Sequence, residues 1–290
     1  MDNTDKKALH GVTIPACPAT LTQLMDELKN RTTDSKKIAA LVSQDAGISA
    51  IVIRTANSPL FGCGRRISSI SDAIRTLGFA SLTNLVREAL LQTSLDGNHA
   101  ALDRFWDNSR YTAIAGKQLA SIVGRVNPDT AYTFGLFHDC GIPLLTQRFP
   151  EYKDVLREAN KNTERVFTDL EEEALGTSHA IVGYFLARAW GLSDAITQGI
   201  LNHHDYTQLE DPRYTNSEAH LLIAINVMAE YVASTHLRTV QDAEWLRARE
   251  AVSNCLGYVT SDLDDIAEDL IYQFDETLAR HLHHDQDKDG

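Results

Sequence analysis

Apolar positions recur at helical spacing along almost the whole chain. Leu21, Leu24, Met25 and Leu28 fit the i, i+3, i+4, i+7 stripe of an amphipathic helix. Asp34 or Ser35 then stands where it can cap a second helix carrying Ile38, Leu41 and Val42. A third helix carries Ile48, Ile51 and Val52 and is stopped by Asn57, Ser58 and Pro59. After the loop FGCGRRISS, Ser69 and Asp72 have capping-box-like spacing, and Gly78 suits the far end of the helix they open. The next helix, over about 79–93, buries Leu82, Leu85, Val86, Ala89 and Leu90.

Gly97 and Asn98 interrupt the apolar pattern, which places a lobe boundary near 96–101. A long helix from Leu102 to Val123 follows and Gly124 ends it. Asn127 and the first-turn proline Pro128 open another, which runs through Phe134 and Leu136 into His138 and Asp139 before Gly141 and Pro143 end it. Further stripes predict helices at about 150–160, 168–175, 178–190, 194–204, 217–235, 242–256 and 261–283. No segment alternates with the period of two that a half-buried strand needs, so the expected fold class is all-α, with two lobes of packed helices. The polar C-terminal run HLHHDQDKDG is expected to fray.

Composition narrows the possible functions. Forty acidic residues against 27 basic give a formal charge of −13, so no overall field draws the chain to phosphate backbones or anionic lipid. Nucleic acid and membrane are therefore excluded as first expectations. The N-terminal MDNTDKKALHG has no apolar signal core, and a cytoplasmic location is expected. Cys17, Cys63, Cys140 and Cys255 form no CxxC pair, which leaves buried free thiols as their expected state.

Five side chains of metal-ligand type form a series: His138, Asp139, His179, His203 and His204. Imidazole nitrogen and carboxylate oxygen suit iron, manganese, zinc or nickel, and a helical bundle can converge such groups from several helices onto one interior point. Neighbouring residues on a helix point about 100° apart, so one of each adjacent pair can face inward while the other braces it. Each histidine alone also fits a plainer role, such as a cation at a helix C-terminus. The acids Glu171, Glu172 and Glu173 could join the series or form a solvated helix face.

Several segments, in this order and spacing, resemble the HDOD domain. In the first part of the chain they are Gln44-Asp45, Ala56-Asn57-Ser58-Pro59, Ser68-Ser69-Ile70 and Ala73-Ile74-Arg75-Thr76-Leu77-Gly78. In the second they are Phe105-Trp106-Asp107-Asn108-Ser109, Gly135-Leu136-Phe137-His138-Asp139-Cys140-Gly141, His179-Ala180-Ile181-Val182-Gly183, Trp190-Gly191-Leu192 and His203-His204. The resemblance covers about residues 14–235. It implies an N-terminal tail (1–13), an N-terminal helical lobe (14–98), an HD-like helical lobe (99–235), C-terminal helices packing on that lobe (236–282) and a polar tail (283–290).

HDOD domains are similar to the HD and HD-GYP metal-dependent phosphohydrolases, and the resemblance implies a bacterial, non-enzymatic signalling module acting through protein partners. Those partners are expected among signalling proteins, the family being often linked to cyclic dinucleotide networks. The alternative is a residual metal-dependent phosphohydrolase acting on nucleotides or cyclic dinucleotides. By the same resemblance, the first metal histidine of active HD enzymes falls at Asn108 and their distal aspartate at Asn226. Neutral amides are weak replacements for both. No cofactor is then required, and one divalent ion at most, of iron, manganese, zinc or nickel, is expected at low affinity. After His203-His204 the chain reads Asp205-Tyr206-Thr207-Gln208 and offers no Gly-Tyr-Pro. Phe61, Arg65 and Arg66, in the Gly-flanked loop, are the candidate partner-binding residues, against the plainer reading of a packed turn.

Overall fold

The structure, a computed structural model, describes residues 7–29, 34–61, 66–95, 102–159, 165–210, 217–239 and 242–286. Among them there is no strand. The chain divides into two compact units, one of residues 1–16 with 97–271 and one of 17–96 with 272–290. The boundary expected at 96–101 lies outside the described residues. No single helix among the described residues is long and apolar enough to cross a membrane.

The smaller unit begins with α1 (Ala19–Lys29), α2 (Ser35–Ser43), α3 (Ala46–Ala56) and α4 (Ile70–Leu95). Asp34 caps α2, its carboxylate accepting from Lys36 N at 2.9 Å, and Asp45 caps α3 by accepting from Ile48 N at 3.0 Å. Asn57 closes the chain on itself. Its amide donates to Ile67 O at 2.7 Å and accepts from Ile67 N at 2.8 Å, pinning the end of α3 to the lead-in of α4. Ser69 accepts from Asp72 N at 3.0 Å, while its hydroxyl turns to the Asp72 carboxylate. Gly78, at φ +80°, breaks α4 into two helical runs, as the sequence predicts. Phe61 ends a short 3-10 turn (Pro59–Phe61) and is half-buried; Arg66 is exposed; Arg65 lies outside the described residues.

The larger unit is built on α5 (Asp103–Val123), α6 (Pro128–Phe137), α7 (Gly141–Arg148), α8 (Tyr152–Ala159), α9 (Phe167–Leu175), α10 (His179–Ala189), α11 (Asp194–Asn202), α12 (Glu218–His236) and α13 (Asp242–Leu256). α14 (Thr260–Gln286) belongs to this unit as far as Ile271. Every residue of α12 from Ala219 to Ala229 is buried, the mark of a helix covered on all sides. It packs on α5, α6, α11 and α13. α5 and α6 approach backbone to backbone, because a Cβ at Gly135 would meet Ala113 Cα at 2.9 Å. Phe134 and Phe137, buried on α6, each contribute about 2–3 kcal/mol of apolar burial.

One local reading is corrected. The helix through Phe134 does not run on to Gly141: α6 ends at Phe137, residues 138–140 turn, and Gly141 opens a new helix. Pro143 sits in the first turn of α7, where the missing N–H costs nothing because first-turn donors have no helical partner. The break places His138, Asp139 and Cys140 in a bend between two helices. The cysteines also divide: Cys140 and Cys255 are buried, Cys17 is half-buried, and Cys63 lies outside the described residues.

Candidate metal centre

Helix ends deliver the histidines. Asn127 caps α6, accepting from Asp129 N at 2.8 Å, and α6 closes on His138 as its C-terminal cap. His203 caps α11 in the same way. In both, ring Nδ1 meets the carbonyl three residues back: Gly135 O at 2.8 Å for His138 and Ile200 O at 2.6 Å for His203. A carbonyl can only accept, so each Nδ1 is the protonated nitrogen. These last-turn carbonyls lack helical partners, so the histidines satisfy them and turn Nε2 away from the helix.

His179 arrives differently, at the first position of α10 behind the cap Ser178. Its Nδ1 lies 2.6 Å from Glu171 Oε2, which also accepts from His179 N at 3.0 Å, and Glu171 Oε1 accepts from the Tyr152 hydroxyl. All three residues are buried. Of the three acids foreseen on α9, then, Glu171 faces inward and orients the imidazole, while Glu172 and Glu173 lie on the exposed side. Gly141 holds the other side: a Cβ there would fall 2.1 Å from His179 O, so only glycine lets α7 start against this backbone.

The result is a convergence of Nε2 atoms. His179 Nε2 stands 3.2 Å from His203 Nε2, 3.0 Å from His204 Nε2 and 3.3 Å from Asp139 Oδ1, which is 3.4 Å from His203 Nε2. His179 and His203 both have their Nδ1 proton committed, so in their neutral forms two lone pairs face each other. A shared cation removes that repulsion. Ligands about 2.1 Å from a first-row metal are separated by about 3.0 Å in an octahedron and about 3.4 Å in a tetrahedron, the same range as these four distances. The residues therefore fit a divalent metal of the zinc, iron or nickel type. The ring of Phe167 lies 4.8 Å from that of His179 and 5.7 Å from that of His204, forming an apolar wall.

His138 faces a different neighbourhood, with Nε2 3.0 Å from Glu230 Oε1 and 3.3 Å from Asp139 Oδ2. Burial opposes a charge on His138, but the carboxylates of Asp139 and Glu230 outweigh it and hold its pKa well above the usual histidine value. Burial likewise opposes ionisation of Asp139, yet His138, His203 and His179 hold it well below the usual carboxylate range. His203 is pushed down by burial and then by His204. Burial also works against Glu244, but His204, Tyr206 and Arg247 bring it to about 2.

Asn226, 2% exposed, donates from Nδ2 to Glu230 Oε2 at 3.2 Å, so it reaches the cluster through Glu230. Asn108 is half-buried on α5. Glu230 was not foreseen from the sequence. Its signal was available: a single charged residue in the apolar run LLIAINVMAEYVAS, four positions after Asn226 and therefore on the same helix face.

The all-helical larger unit thus brings Asp139, His179, His203 and His204 together from the ends of its helices. The family model of the HDOD domain matches residues 14–206, and the chain belongs to this family. It is 27% identical over 195 residues to an uncharacterised protein of Treponema pallidum (strain Nichols), covering 66% of this chain but only 38% of that relative's length. An HDOD domain protein of unknown function from Geobacter sulfurreducens superposes with a TM-score of 0.67 at 25% identity, over 94% of this chain and 96% of the other. A candidate signal transduction protein of Marinobacter aquaeolei VT8 shares the fold, with a TM-score of 0.72 at 23% identity over 96% of this chain and 66% of the other.

Proposed function

We propose that the protein is a non-enzymatic signalling module that acts through protein partners and holds a divalent metal in the pocket of Asp139, His179, His203 and His204. The observation that carries the metal is the opposed pair of nitrogens, His179 Nε2 and His203 Nε2 at 3.2 Å, each with its Nδ1 proton already committed. When bound, the ion supplies Lewis acidity and fixes the relative positions of α10, α11 and the 138–140 turn. Membership of the HDOD family supports the signalling role.

The surroundings favour holding an ion over hydrolysing a phosphodiester. Glu230 and Glu244 add negative charge beside the histidines, and Arg247, reached through Glu244, is committed to that carboxylate and to Arg165 O at 3.1 Å. Around the proposed ion, an anionic substrate therefore meets carboxylates rather than further cations. The test combines metal analysis with turnover. The purified protein is expected to carry a first-row metal that His179→Ala loses, and to leave cyclic dinucleotides intact. Hydrolysis that requires added manganese or iron and vanishes in His138→Ala would overturn the non-enzymatic reading and install the phosphohydrolase alternative.

A further inference from the structure

α13 turns one regular stripe into its unit: Trp245, Ala248, Val252 and Leu256 recur at helical spacing and are buried. Leu246 lies about 100° round the helix from Trp245 and stays 67% exposed, while Val259, in the turn to α14, is 61% exposed. That turn is tied by hydrogen bonds. Ser253 O accepts from Gly257 N at 2.9 Å and from Tyr258 N at 3.2 Å, and the Ser253 hydroxyl donates to Tyr258 O at 2.6 Å. Val259 O in turn accepts from Asp262 N at 3.1 Å as α14 starts. Two large apolar side chains are thus held in solvent by an ordered helix and an ordered turn.

Both line an open groove of about 540 Å³, together with Arg249, Glu250, Asn254 and Thr260. Leu246, Glu250 and Asn254 follow at one-turn intervals over about 12 Å, the length of a two-turn helix. The charge around the groove is one-sided. Arg247 is paired with Glu244 and Arg249 with Asp264, whereas Glu250 on α13 and Asp262, Asp265, Glu268 and Asp269 on α14 are exposed. These features select among occupants. A small molecule would not be enclosed, since both apolar side chains stand mostly in solvent. A partner strand has no edge to join, there being no strand among the described residues. A second copy of this chain, of formal charge −13, would set the same exposed acids against each other. A helix with an apolar stripe for Leu246 and Val259, flanked by lysine or arginine for the acids, matches both the shape and the charge.

We infer that the groove between α13 and the start of α14 is a docking site for a basic amphipathic helix of a partner protein. The inference rests on the reading of the chain as a module that acts through protein partners, and it gives that reading a surface and a partner chemistry. The groove lies on the larger unit, whereas Phe61 and Arg66 belong to the smaller.

Fluorescence anisotropy of the full chain tests it at about 0.15 M salt, where long-range attraction between exposed charges is screened. The probe is a fluorescein-labelled peptide of about four helical turns, with leucine at i, i+3, i+4 and i+7 and lysine beside the stripe. Its control has the same composition with leucine at alternate positions. Saturable one-to-one binding is expected, with the control at least about tenfold weaker. Leu246→Asp, Val259→Asp and Glu250→Lys should each weaken the probe at least about tenfold while leaving the melting temperature within about 2 °C of the parent, as these are exposed positions. The two apolar variants lie on different segments, so one decides the matter if the other disturbs the fold. No saturable binding, equal binding of the control, or binding untouched by the variants overturns the inference. So does a dimer of the parent that Leu246→Asp dissolves, which makes a second copy the occupant. These outcomes leave the metal pocket and the non-enzymatic reading standing; those fail instead on the metal content and turnover of the same preparation.

Discussion

Replacing Glu171 separates the charge of the brace behind His179 from its shape. Oε2 accepts two bonds, from His179 N at 3.0 Å and from His179 Nδ1 at 2.6 Å, and Oε1 accepts from the Tyr152 hydroxyl. In Glu171→Gln the amide oxygen can keep both His179 bonds, and the new NH2 can donate to Tyr152, whose hydroxyl rotates to accept. Stability should fall by less than about 1.5 kcal/mol, the net worth of an ordinary hydrogen bond. Metal affinity should nonetheless fall about 10- to 100-fold, because the charged partner that orients the ligating imidazole of His179 is gone. Glu171→Ala leaves all three buried donors without an acceptor. At about 1–3 kcal/mol each, and with water entering the vacated space, the loss should be about 3 kcal/mol. Urea unfolding of the metal-free proteins measures the stabilities, and zinc titration calorimetry measures the affinities. A Glu171→Gln variant that binds zinc as tightly as the parent, or a Glu171→Ala variant no less stable than Glu171→Gln, refutes the reasoning.

Gly141→Ala should cost about 3 kcal/mol or more, since a Cβ 2.1 Å from His179 O can be accommodated only by moving backbone; thermal melting checks it, and a variant within 1 °C of the parent with intact metal binding counts against the close approach. Alkylation of the native protein followed by mass spectrometry should label Cys17 well ahead of Cys140 and Cys255, because burial pushes both of the latter thiols up, that of Cys140 furthest and with help from the Asp139 charge. Labelling of Cys140 as fast as Cys17 in the folded state would contradict the burial of the 138–140 turn.

Most of the helical order was legible in the sequence, because each cue acts locally. Asn127-Pro128, Gly124 and the Gly78 break are short-range backbone effects, and the structure places them where the sequence does. The break after Phe137 is not legible locally, because Gly and Pro usually end helices, whereas a first-turn Pro143 and a Gly141 forced by contact with His179 start one here. That contact joins residues 38 positions apart, which no local pattern records. The histidines and Asp139 were legible as a series, and Glu171 as one of three acids. The inward turn of Glu171 depends on Tyr152 and His179 arriving from other helices. Glu230 is a lone charge in an apolar run, and only the folded α12 brings its carboxylate to His138.

X-ray absorption at the metal edge of the zinc-loaded protein tests the central claim most directly. The account predicts a first shell containing nitrogen at about 2.0–2.1 Å, with the outer-ring scattering of three imidazoles. In His179→Ala, that imidazole count should fall to two or the ion should be lost. A first shell of oxygen alone, without imidazole scattering and unchanged in the variant, would contradict the account.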